Sequence, residues 1–128
     1  MRTIIRNSFD VKDKVDRLWA ERQKHVENMR AQFPTARILA AVATAHNVTV
    51  ADLRRRDRSY PLSLARHHAV WEMRRRRLDL GFQQIAAELD RHDHTTALHS
   101  YQKFCRLVAA GKCKVERAAV AKKLGDRA

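Results

Sequence analysis

Between Phe82 and Val108 the apolar residues recur at intervals of three and four, stop for one polar interval, and then resume. Phe82, Ile85, Ala86 and Leu89 form the first group, DRHD at 90–93 the interruption, and Ala97, Leu98, Tyr101, Cys105 and Val108 the second. Such recurrence places those residues on one side of a helix. The pattern predicts a short helix over 82–89, a turn, and a longer helix capped by Asp93 and stopped by Gly111. Those are the proportions of a helix-turn-helix.

The rest of the chain reads the same way. Val11, Val15, Leu18, Trp19, Val26, Met29 and Phe33 form a helical stripe interrupted by Arg22 and His25, which packs on its own domain or on a second copy. Residues 1–9 read as a short strand or arm. Pro34 ends the stripe, and Thr35 offers an N-cap to a second helix over 35–46, with Asn47 as its left-handed stop. Thr49 caps a helical turn in VADL. A basic loop, RRRDRSYPLS at 54–63, contains Pro61. A helix from Ser63 to Arg77 then buries Leu64, Val70, Trp71 and Met73, and the Arg74–Arg77 run suits its negative end. Four consecutive arginines cannot share one side of a helix, so some are solvated and one or two are placed to touch a phosphate. A last amphipathic segment spans 114–124. With three glycines and two prolines in 128 residues, nothing reads as a flexible linker. The class is all-α, and the organisation is an N-terminal arm and helix (1–34), a central domain (35–110) and a C-terminal helix and tail (111–128).

Lysine and arginine outnumber aspartate and glutamate 27 to 14, a net charge of +13. Basic and acidic residues number eight and five in 1–34, eleven and six in 35–92, and eight and three in 93–128. A field of that sign favours polyanions, nucleic acid first, with a solubilising surface or acidic lipid as alternatives. No apolar run approaches the roughly 20 residues that span a bilayer, so a cytoplasmic, nucleoid-associated protein is expected, without a membrane partner. Cys105 and Cys113 lack zinc-ribbon spacing and read as reduced thiols.

The chemistry concentrates in HDHTTALHSYQKF, residues 92–104. With Ala97, Leu98, Tyr101 and Cys105 inward, the outer face carries Thr95, Thr96, His99, Gln102, Lys103 and Arg106. Short polar groups thus precede cations along one side, the order needed by a helix that enters the major groove tip first. The Asp93 carboxylate accepts from cytosine or adenine amino groups, His94 donates to purine N7 or a carbonyl, and Thr95 and Thr96 offer hydroxyls and methyls. Helix capping alone also accounts for Asp93 and the threonines. A metal or acid–base site built from His92, His94, His99 and Asp93 is disfavoured, because His94 and His99 are five apart and do not share a helix face. No catalytic role, metal or other cofactor is expected.

DHTTALHSYQKF is similar to the DHTT signature of the C-terminal DNA-binding domain (domain IV) of the bacterial replication initiator DnaA. VADL at 50–53, the basic loop, Arg66 and the I-A-x-x-L of 85–89 agree with it, so the resemblance covers about residues 35–108. It implies a helix-turn-helix bundle of Trp-repressor-like fold with an extra N-terminal helix, and double-stranded DNA as partner. It further implies that Asp93, His94, Thr95 and Thr96 read a TTATCCACA-like box in the major groove while Arg58 reaches the adjacent minor groove. Arg66, His67, His99 and Lys103 then lie at phosphates.

The sequence departs from that family where a Gly-Gly-basic turn is usual: here it reads Asp90-Arg91-His92. His67 replaces a common glutamine, and one residue is inserted before Gly81. No GxxxxGK[ST] loop occurs in these residues, so no nucleotide is expected to bind by that route. The expectation is a free-standing reading domain that regulates replication initiation or transcription. The competing expectation is a protein-interaction adaptor or accessory protein, a homodimer through the N-terminal helix, whose DNA affinity is non-specific.

Overall fold

The structure, a computed structural model, describes residues 2–125, with side chains from residue 11. Among the described residues every regular element is helical: α1 (Arg2–Gln32), α2 (Thr35–Ala45), α3 (Val50–Arg54), α4 (Tyr60–Arg76), α5 (Phe82–Glu88), α6 (His94–Ala109) and α7 (Lys114–Lys123). The chain divides into two compact units, residues 1–32 and 33–128.

The first unit is α1 alone. It begins at Arg2, so the strand or arm expected over 1–9 is helix from residue 2 on, Met1 lying outside the described residues. Val11, Val15, Leu18 and Trp19 are 56–64% exposed, leaving the front of the apolar stripe in solvent.

The second unit is built around α4, which packs most extensively against α6 and also meets α2, α3 and α5. Ile38, Leu39 and Val42 from α2, Ala65, Ala69, Val70 and Met73 from α4, Ile85 and Ala86 from α5 and Ala97 from α6 close one core. The α7 helix belongs to that core through Val120 and Leu124, so the segment set apart at 111–128 is integral as far as Gly125. Residues 126–128 lie outside the described residues.

Three helix ends share one device. Asn47, Asp90 and Gly111 adopt left-handed φ of 58°, 59° and 74° after α2, α5 and α6. In each case the next residue's N–H reaches back to a carbonyl five residues earlier: Val48 to Ala43 (2.9 Å), Arg91 to Ala86 (2.8 Å) and Lys112 to Leu107 (2.9 Å). This is the Schellman closure, which satisfies carbonyls that the helix leaves open. Asparagine and aspartate tolerate that backbone better than other side chains. Cys113 also takes a left-handed φ, 59°, ahead of α7.

Helix starts differ from expectation in two places. Pro34, not Thr35, is the cap position of α2, and it makes no side-chain cap bond. The α4 helix begins at Tyr60 rather than Ser63, with Pro61 in its first turn, where a missing N–H costs little. Thr49 caps α3 as expected: its hydroxyl accepts the Asp52 N–H and the Asp52 carboxylate accepts the Thr49 N–H, both at 3.0 Å.

The buried side of α6 is rotated from the expected one. Ala97, Ser100 and Phe104 are buried, while Leu98, Tyr101, Cys105 and Val108 are half-buried. Phe104 is fully enclosed, stacked on the His68 ring at 4.7 Å and tilted against Trp71 at 5.3 Å. A polar line runs beside it: His46 Nε2 lies 2.8 Å from His68 Nδ1, His68 Nε2 lies 3.3 Å from Glu72 Oε1, and Arg76 Nε donates to Glu72 Oε2 at 2.6 Å. Burying such groups is tolerable only when each finds a partner.

The arginine run that ends α4 is mostly internal. Arg74 donates to the Leu80 carbonyl (2.9 Å) and lies over Phe82, while Arg75 lies over Trp71. Arg76 holds Glu72 and covers Phe33, and Arg77 forks onto Asp79 at 2.9 and 3.0 Å. Arg76 and Arg77 are buried while Arg75 is exposed, so the run is partly solvated, as expected.

Candidate nucleic-acid interface

The front of α6 begins with a cap. Asp93 Oδ1 accepts the Thr95 N–H at 2.9 Å, and its carbonyl accepts the Thr96 N–H at 3.2 Å. That first bond lowers the Asp93 pKa below the usual carboxylate value, aided more weakly by His94 and His99. Capping engages Oδ1 and leaves Oδ2 as an acceptor, so the cap does not exclude base reading. The carboxylate stays exposed, with His94 Nδ1 3.8 Å from its Oδ1.

His94, Thr96, His99, Gln102, Lys103 and Arg106 are exposed, and Thr95 is half-buried. The structure thus places His94, Thr95 and Thr96 around the first turn of α6, with His99 and Lys103 exposed further along the helix, polar groups first and cations behind. Helix N-termini carry partial positive charge, which suits an approaching phosphate backbone.

Beside this tip lies the loop between α3 and α4. An open cleft runs between them, lined on the loop side by Arg56, Arg58 and Arg66 and on the α6 side by Asp93, Thr96 and Ser100. Not all the loop's cations are available. Arg54 Nε donates to the Glu88 carbonyl (3.1 Å), and Arg55 faces Asp52 and Asp57 at 3.6 and 3.5 Å. Arg56 and Arg58 are exposed, with no guanidinium partner among the described residues.

Arg66, expected at a phosphate, has another task. The residue is 9% exposed, and its guanidinium donates to the carbonyls of Leu53 (2.9 Å), Asp52 (3.3 Å), Arg55 and Asp57. A guanidinium has five N–H donors in a fixed fork, and here they gather two carbonyls from α3 and two from the loop that follows it. Arg66 folds the loop that presents Arg56 and Arg58, and that corrects its assignment. His67 is half-buried on the same cleft. Its Nδ1 is enclosed without a partner, and burial, then Lys103 and Arg66, lower its pKa.

In the sequence Arg91 is only a departure from a glycine, yet its side chain reaches into this site. It donates to the carbonyls of Arg55 (2.7 Å), Arg54 (3.3 Å) and Leu89 (3.4 Å). The signal was present in the sequence, a long cation at a position where the resembling family needs no side chain. Its destination was not, because the partners are backbone atoms about 36 residues away.

Among the described residues no group of three or more histidine, cysteine, aspartate or glutamate side chains is arranged to hold a metal ion. Among the same residues no helix is long and apolar enough to cross a membrane.

Residues 35–104 match the family model described as the bacterial dnaA protein helix-turn-helix. The chain is similar to the chromosomal replication initiator protein DnaA of Gloeothece citriformis, 35% identical over 78 residues, which cover 61% of this chain and 17% of that protein. It is also similar to the proteins of the same name from Trichormus variabilis, 35% identical over 75 residues, and Nostoc sp., 33% identical over 75 residues. In each of these two the match covers 59% of this chain and 16% of the relative, so the chain spans about a sixth of the relatives' length.

Proposed function

The chain belongs to the bacterial DnaA helix-turn-helix family, and from that premise we propose that it binds double-stranded DNA sequence-specifically, with α6 in the major groove. One observation carries the reading. The exposed tip of α6 and the unpaired loop arginines flank the same cleft, so one docking event reaches two adjacent grooves. Asp93, His94, Thr95 and Thr96 read base edges, with acceptor, donor, hydroxyl and methyl groups in turn. Arg58 enters the neighbouring minor groove, where a narrow A·T-rich segment concentrates negative potential. His67, His99 and Lys103 meet phosphates, and Arg66 shapes the loop. The targets are DnaA-box-like sites, and the role is regulation of replication initiation or transcription there.

Selection of bound duplexes from a random pool, followed by competition with scrambled DNA, tests this. His94→Ala and Thr96→Ala each reduce discrimination by about 1–3 kcal/mol while salt-sensitive binding to any duplex persists. Unchanged discrimination in both variants refutes the groove assignment.

A second reading concerns assembly. The exposed run Val11, Val15, Leu18 and Trp19 supports pairing with a second copy through α1. Burying a large apolar side chain stabilises by roughly 1.5–3 kcal/mol, and a dimer buries the run twice. Leu18→Asp then shifts the solution mass from dimer to monomer, and a mass that ignores the change refutes this seam.

A further inference from the structure

Resting on the DNA-reading function above, we propose that Arg91 is a positioning residue that sets the spacing between the α6 tip and the loop arginines. The protein then selects duplexes by the separation of their major-groove and minor-groove elements as well as by base identity.

The link is physical. Arg91 stands between the left-handed Asp90, where α5 closes, and Asp93, where α6 is capped. Its backbone is fixed by the 2.8 Å bond from its N–H to the Ala86 carbonyl. From that fixed base its guanidinium crosses to Arg54 and Arg55 carbonyls, and Arg54 Nε returns the contact to the Glu88 carbonyl. The loop and the helix-turn-helix turn are therefore tied in both directions, at Arg54 and Arg55 just before Arg56 on one side and at Arg91, two residues before Asp93, on the other.

A second arginine makes the tie notable. Arg66 also donates to the Arg55 carbonyl, and its proximity to Arg91 lowers the Arg66 pKa, after burial itself. Two like charges converge on one carbonyl because each also has other carbonyls to hold. Arg66 anchors the loop to α4, and Arg91 anchors it to the turn that aims α6. With a glycine at position 91 the second anchor has no atoms to exist.

The consequence for DNA follows from duplex geometry. One added base pair displaces an element by about 3.4 Å and rotates it by roughly 35°. Hydrogen bonds of ordinary length do not stretch that far. A strutted loop therefore forfeits the minor-groove contact on a duplex of altered spacing, whereas without Arg91 the loop keeps its fastening to α4 through Arg66 and is tied toward the turn only by the Arg54 bond to the Glu88 carbonyl.

The test uses the full chain and the duplex that wild type selects, with its two contacted elements mapped by footprinting. That duplex is compared with versions carrying one base pair inserted or removed between the elements. Wild type is expected to bind the altered spacings about tenfold more weakly or worse, a loss the size of one good groove contact. Arg91→Ala is expected to bind all spacings within about threefold while still rejecting base changes under α6. Arg91→Lys, which keeps the charge and loses the fork, is expected to behave like Arg91→Ala.

Spacing discrimination that survives Arg91→Ala overturns the proposal. So does a uniform loss of affinity that Arg91→Lys restores, since that marks a phosphate contact. Amide hydrogen exchange of the free proteins gives a readout independent of DNA. Faster exchange across 55–59 in Arg91→Ala, with α4 and α6 still protected, supports the strut, and unchanged exchange overturns it. If wild type prefers no duplex over another, the DNA-reading function fails, and the exchange result alone decides the strut.

Discussion

His46 gives the protein an acid-sensitive point whose size follows from its surroundings. Its pKa is lowered to about 4 from 6.5, first by burial and then by the neighbouring His68, with Glu116 opposing. In the unfolded chain the ring takes up a proton near pH 6.5, whereas the folded chain resists until about pH 4. The unfolded state therefore binds more protons in that window, and stability falls as pH drops through it. The full linkage of such a shift is about 3.4 kcal/mol at 1.36 kcal/mol per unit, and solvent screening of this partly exposed ring reduces it to about 1–2 kcal/mol. Urea unfolding of wild type and His46→Gln between pH 7.5 and 4.5, as conditions of the assay, isolates the contribution, because His67, also shifted downward, is common to both. The gap between the two stability profiles is expected to change by about 1–2 kcal/mol across that window, with the variant flatter. Glu72, held below its ordinary carboxylate pKa by His68 and Arg76 against the opposing effect of burial, contributes stability above pH 4.5 that is lost only at lower pH. Parallel profiles for wild type and His46→Gln from neutral pH to 4.5 refute the reasoning.

Phe104→Ala empties the space between His68 and Trp71, and an unfolding measurement is expected to show a loss of about 3–5 kcal/mol. Asp93→Asn separates capping from reading, because asparagine caps as well as aspartate but offers different groups to a base. Its unfolding midpoint is expected to match wild type while its order of preference among duplexes changes. Lys103→Ala is expected to weaken binding to every duplex by a similar factor and to reduce the slope of log affinity against log salt by about one, read from titrations at several salt concentrations.

Local signals carried much of the architecture. Asn47, Thr49, Asp93 and Gly111 bound their helices because each acts through its own backbone or a bond within a few residues. The turn-bounded pair of helices was legible for the same reason, and so was the exposed polar front of α6. Non-local chemistry was not legible. The α4 helix buries Arg66, His68, Glu72 and Arg76 together with its apolar residues, so its inward side has no clean hydrophobic signature. The inward side of α6 was not legible because half-buried Tyr101 and Cys105 have the spacing of a core, whereas Ser100 is buried and Phe104 is enclosed against His68 and Trp71. Arg66 and Arg91 resemble any surface arginine in a sequence. Their carbonyl partners become neighbours only after the chain has closed.

The most direct test of α6 in the major groove is an NMR measurement of the complex with a selected duplex, observing contacts between threonine methyl protons and base protons. Thr95 and Thr96 are expected to show cross-peaks to thymine methyl or cytosine H5 protons, which line that groove. Cross-peaks to DNA that arise only from other helices, with none from the 93–96 segment, contradict it.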